Sequence, residues 1–114
     1  MKVTVVTDEG KELTYFITWQ YFRKKKTVET HCYIFAEPAK MLISEGRTYV
    51  HKGDTFTKSE GRKWSLTKAV ETKFPGLKGN DSAGQSLSQE TLDLNKKIRT
   101  AIWKAYAAMV NDKF

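Results

Sequence analysis

Three stretches of the sequence carry residue types that could do chemistry. Gly79-Asn80-Asp81-Ser82-Ala83-Gly84-Gln85-Ser86 has the glycine spacing and final hydroxyl of a loop that cradles phosphates. That chemistry also needs a lysine before the hydroxyl residue and a buried strand leading into the loop. Gln85 stands where the lysine belongs and a predicted helix precedes the segment, so it reads as a connector. His31, Cys32 and His51 are the only imidazole and thiol groups. A metal needs several such ligands together. Adjacent strand residues point to opposite faces, so His31 and Cys32 cannot both reach one ion without distortion. Cys32 as a nucleophile would need a base beside it, and at a core-facing position its thiolate is disfavoured. The expected roles are a core Cys32 and a surface His31. Asp8 and Glu9 sit at a turn, and no other acidic pair falls in a predicted cleft, which leaves no supported acid/base couple. The chain is expected to be non-catalytic, with no metal and no cofactor.

Basic side chains offer a different chemistry. Twenty Lys and Arg against thirteen Asp and Glu give a net charge of +7, which favours polyanions through long-range attraction and counterion release. Arg23, Lys24, Lys25 and Lys26 form one run, beside Tyr21 and Phe22. Lys58, Arg62 and Lys63 fall at a predicted helix start, and Lys96, Lys97 and Arg99 on a second helix. A basic hairpin beside exposed rings could track a nucleic-acid backbone and stack on bases. Lysines at a hairpin tip also guard a sheet edge against aggregation. Arg62 and Lys63 oppose the macrodipole at a helix N-terminus, so they call for an acidic partner or a local carboxylate such as Glu60. The candidate partner-binding residues are Arg23, Lys24, Lys25, Lys26, Phe16, Tyr33, Phe35, Arg62 and Lys63.

The elements that must position these residues divide the chain in two, strands first and helices second. Residues 2–7, 12–22, 27–36 and 40–51 read as strands, rich in β-branched and aromatic types. Asp8-Glu9-Gly10 suits a three-residue hairpin loop with Gly10 at positive φ. A turn at Lys24-Lys25 would set Ile17 opposite Cys32 and Phe16 opposite Tyr33. Val3, Val5, Tyr15, Ile17, Cys32 and Ile34 then share an apolar face. The reverse face is mixed and carries Phe16, Tyr33 and Phe35. Gly46 is expected at a bulge or bend.

Thr57-Lys58-Ser59-Glu60 matches a capping box, and a helix follows to about Phe74, where Pro75-Gly76 stops it. Gly61 weakens its first turn and could delay its start. Leu66, Ala69, Val70 and Phe74 form its inward stripe, with Trp64 at the edge. Residues 75–87 read as a loop. A second helix over about 88–111 repeats Leu94, Ile98, Ile102, Ala105 and Met109 at helical spacing, with Trp103 and Tyr106 beside them. The expectation is a single α+β domain over residues 1–114: a four-stranded antiparallel sheet (2–51), then helices at about 58–74 and 88–111 packed on one face. No apolar run approaches the ~20 residues that span a bilayer. The polar start does not read as a signal peptide, and a lone cysteine fits a reducing compartment, so the chain is expected in the cytoplasm.

Cys32-Tyr33-Ile34, then Asp54-Thr55-Phe56-Thr57-Lys58 with Gly61-Arg62-Lys63-Trp64-Ser65-Leu66, then Arg99 with Ile102-Trp103-Lys104-Ala105-Tyr106, form a recognisable series. It resembles a group of small bacteriophage-encoded proteins of unassigned function, over roughly two thirds of the chain. The connector at 75–87 is longer and richer in glycine than in that group. Within the series, Trp103 and Tyr106 could pack over the first helix with Arg99 near its start. Small phage proteins often block host machinery, anti-CRISPR proteins being one such set. By that context the resemblance implies a protein that binds and inhibits a host protein, such as a CRISPR or other defence nuclease. The residues also support an alternative, a basic nucleic-acid-binding domain using the sheet face and the Arg23–Lys26 hairpin.

Overall fold

The computed structural model describes residues 1–51, 57–76 and 87–111, with His51 described in its backbone only. The P-loop-like segment 79–86, most of the 75–87 connector and Asp54–Phe56 lie outside the described residues. Strands β1 (Lys2–Val6), β2 (Glu12–Arg23), β3 (Thr27–Ala36) and β4 (Met41–His51) precede helices α1 (Lys58–Lys73) and α2 (Gln89–Asn111). The strands form one antiparallel sheet in the order β1-β2-β3-β4. Both helices lie on the same side, α1 over β3 and β4 and α2 against β1. This is the α+β arrangement that the alternation and capping signals imply.

The core sits between sheet and helices. Ile17, Cys32, Ile34, Leu66, Ala69 and Ile102 have no exposed surface. Each comes from a strand position of one parity or from a helix stripe of 3.6-residue period, so one face of each element accounts for the burial. Gly10 takes φ 82° in the first hairpin, where Thr7 N–H bonds Lys11 O at 2.8 Å across the three-residue loop.

The second hairpin turns one residue later than expected. Lys24 N–H donates to Thr27 O at 2.8 Å, leaving Lys25 and Lys26 at the tip. The register therefore slips by two: Ile17 faces Ile34, Trp19 faces Cys32 and Phe16 faces Phe35. A slip of two preserves the parity of every side chain, so the predicted faces hold although the predicted partners change.

Gly46 is not at the bulge. The ladder is irregular between Ile34 and Phe35, whose partners Ser44 and Leu42 leave Ile43 unmatched. Gly46 instead admits α1, because a Cβ there would lie 2.1 Å from Ser65 O and 2.6 Å from Ala69 N. The same close approach shields the outer edge of β4, where Lys68 Nζ donates to Arg47 O at 2.9 Å.

Thr57 caps α1, its hydroxyl accepting from Glu60 N–H at 3.4 Å, and the helix begins at Lys58 despite Gly61. Gly61 is buried and its amide bonds Thr57 O, so packing outweighs its low helix propensity. The helices run antiparallel. Tyr106 OH donates to Ser59 O at the start of α1, while Arg99 Nη1 donates to Phe74 O at its end. Arg99 thus meets the opposite end of α1 from the one expected, where a cation suits the orphan carbonyls and the negative pole of the dipole.

Candidate functional site

The helix-free face of the sheet reads as a set of rows across paired strands. Lys2, Phe16, Phe35 and Leu42 make one row. Thr18, Tyr33 and Glu45 make the next, then Gln20, His31 and Arg47, then Phe22, Glu29 and Tyr49. Phe16, Leu42, Phe22 and Tyr49 are exposed, while Tyr33 and Phe35 are half-buried. The three rings singled out in the sequence do share one surface, with Phe16 and Phe35 directly opposed.

Between the outer rows lies a polar group that sequence reasoning missed. His31, expected at the surface, is 7% exposed and Glu29 is 3% exposed. The Phe22 ring covers His31 at 4.5 Å between centroids. His31 Nε2 contacts Glu29 Oε1 at 3.1 Å and Nδ1 contacts Tyr33 Oη at 3.0 Å. An ionised carboxylate only accepts, so in neutral His31 the proton sits on Nε2, and Nδ1 accepts from the Tyr33 hydroxyl. Lys24 Nζ closes on the other Glu29 oxygen, and Arg47 Nε donates to Glu45 Oε1 at 2.6 Å. The Lys24 bond, then His31, holds the Glu29 carboxyl below its ordinary range, and Glu45 raises Arg47. The signal was present in the sequence: Glu29, His31 and Tyr33 recur at every second position of β3, all on one face. The sequence does not show that Phe22 folds over them.

A glutamate, histidine and hydroxyl in line could pass a proton. Substrate chemistry would also need a cleft beside the hydroxyl. Two hollows lie elsewhere, one bounded by Asp8, Lys11, Glu90 and Lys97, the other by Thr67, Phe74, Arg99 and Trp103. Neither includes His31 or Tyr33. The arrangement ties the hairpin tip to β3 and β4 and fixes the Tyr33 ring. Cys32 is fully buried on the reverse face, and burial pushes its thiol up to about 12.

The basic candidates gather at one end of the molecule. Arg23, Lys25 and Lys26 are exposed at the tip. Arg62 Nη1 donates to Tyr21 Oη at 3.3 Å, Lys58 Nζ lies 5.2 Å over the Tyr21 ring, and Trp19 Nε1 donates to Arg62 O. Segments 23–26 and 58–63 are thereby brought together. Lys63 is exposed, its ammonium 5.5 Å over the Trp64 ring. Six residues of β2 separate Phe22 from Phe16, about 20 Å of strand. The predicted residues therefore form two surfaces: an aromatic row and a basic pole. Comparison with family models, curated proteins and solved structures finds no match. Among the described residues no helix is long and apolar enough to cross a membrane.

Proposed function

We propose that this chain is a non-catalytic phage protein that binds and inhibits a host protein in the host cytoplasm, with a CRISPR or other defence nuclease as the target class. The observation that carries this reading is the uncovered row Phe16, Phe35 and Leu42, with Tyr33 in the row beside it. Protein interfaces are enriched in aromatic residues at their centre and depleted of free charge there. Beside the row Glu45 is paired with Arg47, and Glu29 with Lys24 and His31, while exposed Lys2 stands at the β1 end of the row. Aliphatic Leu42 and Val6 on the same face favour a protein surface over stacked bases. Arg23, Lys25 and Lys26 would supply a basic rim and steer an acidic partner.

The experiment is a cleavage assay with purified candidate nucleases at saturating chain, repeated with Phe16→Glu/Phe35→Glu. Inhibition that the double variant loses by at least about 100-fold, with its circular dichroism unchanged, supports the proposal. Normal cleavage by every candidate effector eliminates it. The observations that favour a nucleic-acid ligand lie at the opposite end of β2 and β3.

A further inference from the structure

We infer that the basic pole is a second site, one that binds single-stranded nucleic acid by stacking bases on Phe22, Tyr49 and Trp64. Among the described residues, the large exposed apolar side chains at the end holding Lys25 and Lys26 are rings: Phe22 37%, Tyr49 56% and Trp64 54% exposed. Away from that end Phe16 is accompanied by the aliphatic Val6, Met41 and Leu42. Phe22 and Tyr49 stand in the same row on either side of Glu29, two strands apart, about 9–10 Å. Trp64 lies one helical turn before Lys68, whose ammonium reaches Arg47 O on β4, so both project from the side of α1 nearest the β4 edge. The three rings mark a path from the hairpin tip across the end of the sheet and round to α1.

Cations interleave with those rings. Arg23, Lys25 and Lys26 follow Phe22 at the tip, Lys63 lies over the Trp64 ring, and Lys58 lies over Tyr21. Among the described residues, two acids share this end. Glu29 is buried and paired to Lys24, which leaves Glu60 exposed. The N-terminus of α1 points the positive end of its dipole the same way. Arg62 and Lys63 oppose that dipole in the absence of an anion, and a phosphate backbone along the pole gives both a counter-charge. Backbone tracking by cations together with base stacking on rings is the combination that single-strand binders use, and it tolerates any sequence. Duplex DNA keeps its bases stacked inside and cannot use the rings. An acidic peptide would use the cations and leave Trp64 without a role. This inference stands on the pole and does not rest on the host-protein reading.

The test is fluorescence anisotropy of a labelled oligothymidylate, with a duplex and a poly-glutamate peptide of similar charge as competitors. The expected result is binding that weakens steeply between about 50 and about 200 mM salt, with the single strand preferred. Trp64→Ala and Tyr49→Ala should each weaken it about 5- to 100-fold. Lys25→Gln/Lys26→Gln should weaken it and flatten the salt dependence by about 0.7 per lost phosphate contact. These side chains are exposed, and circular dichroism confirms that each variant folds. Absence of binding at low salt overturns the inference. So does binding that both aromatic variants leave unchanged, or that poly-glutamate displaces as well as the single strand does. Phe16→Glu/Phe35→Glu leaves oligothymidylate binding intact, which separates failure of this site from failure of the protein interface.

Discussion

Cys32 is sealed between the sheet and α1, and burial disfavours its charged form, so its thiol moves from an ordinary 9.0 to about 12. The folded chain then holds this proton more tightly than the unfolded chain. The stability it contributes is complete below about pH 9 and is lost as pH rises toward about 12. Urea unfolding of the parent and Cys32→Ala at about pH 8 and about pH 11 should show the gap between them closing by as much as about 3 kcal/mol. Native Cys32 should also resist thiol reagents until denaturant is added. Glu29 behaves with the opposite sign. Its carboxyl is lowered, first by the bond from Lys24 and then by His31, so its contribution is present above the ordinary carboxylate range and is lost as pH falls through the lowered value. Glu29→Gln should weaken the chain at neutral pH and flatten its acid unfolding curve, followed by circular dichroism. Phe22 is what turns a surface-looking Glu29-x-His31-x-Tyr33 pattern into a buried network, and Phe22 precedes His31 by nine positions on another strand.

At the scale of elements, alternation and helical periodicity placed all four strands and both helices. They could not place the partners. The β2–β3 register depends on which pair of residues in a run of four cations makes the turn, and Arg23, Lys24, Lys25 and Lys26 offer no glycine, asparagine or proline to choose it. Gly46 was legible as a special position, while the reason for it was not, because Ser65 and Ala69 lie about twenty residues away on α1. Gly46→Ala should push α1 off the sheet and cost at least about 3 kcal/mol in urea unfolding. Thr57→Ala removes the bond to Glu60 N–H and should cost about 1 kcal/mol by the same measurement. The gap between these two values checks that α1 is held by its packing more than by its cap.

At the scale of the whole molecule, charge is unevenly placed among the described residues. The Arg23–Lys26 tip and Lys58, Arg62 and Lys63 share one end, while Asp8, Glu9, Glu90 and Asp93 gather with Lys11 and Lys97 at the other around the first hairpin and the start of α2. The acids at that start suit the α2 dipole. Two variants of equal net charge separate the effect of the pole from that of total charge. Lys25→Glu/Lys26→Glu should leave a heparin column at markedly lower salt than Lys96→Glu/Lys97→Glu. Equal elution would show that charge acts only through its sum.

The sequence by itself determined the element types, the two-faced sheet, the inward stripes and the charge surplus, because each rests on local periodicity or on composition. Tertiary structure alone decided three matters: that His31 is buried, that segments 23–26 and 58–63 lie at one end, and that Phe22 and Tyr49 share a row there. All three depend on contacts between positions that only the packing of α1 and the pairing of β2 with β3 bring together, and no local pattern encodes such a distance.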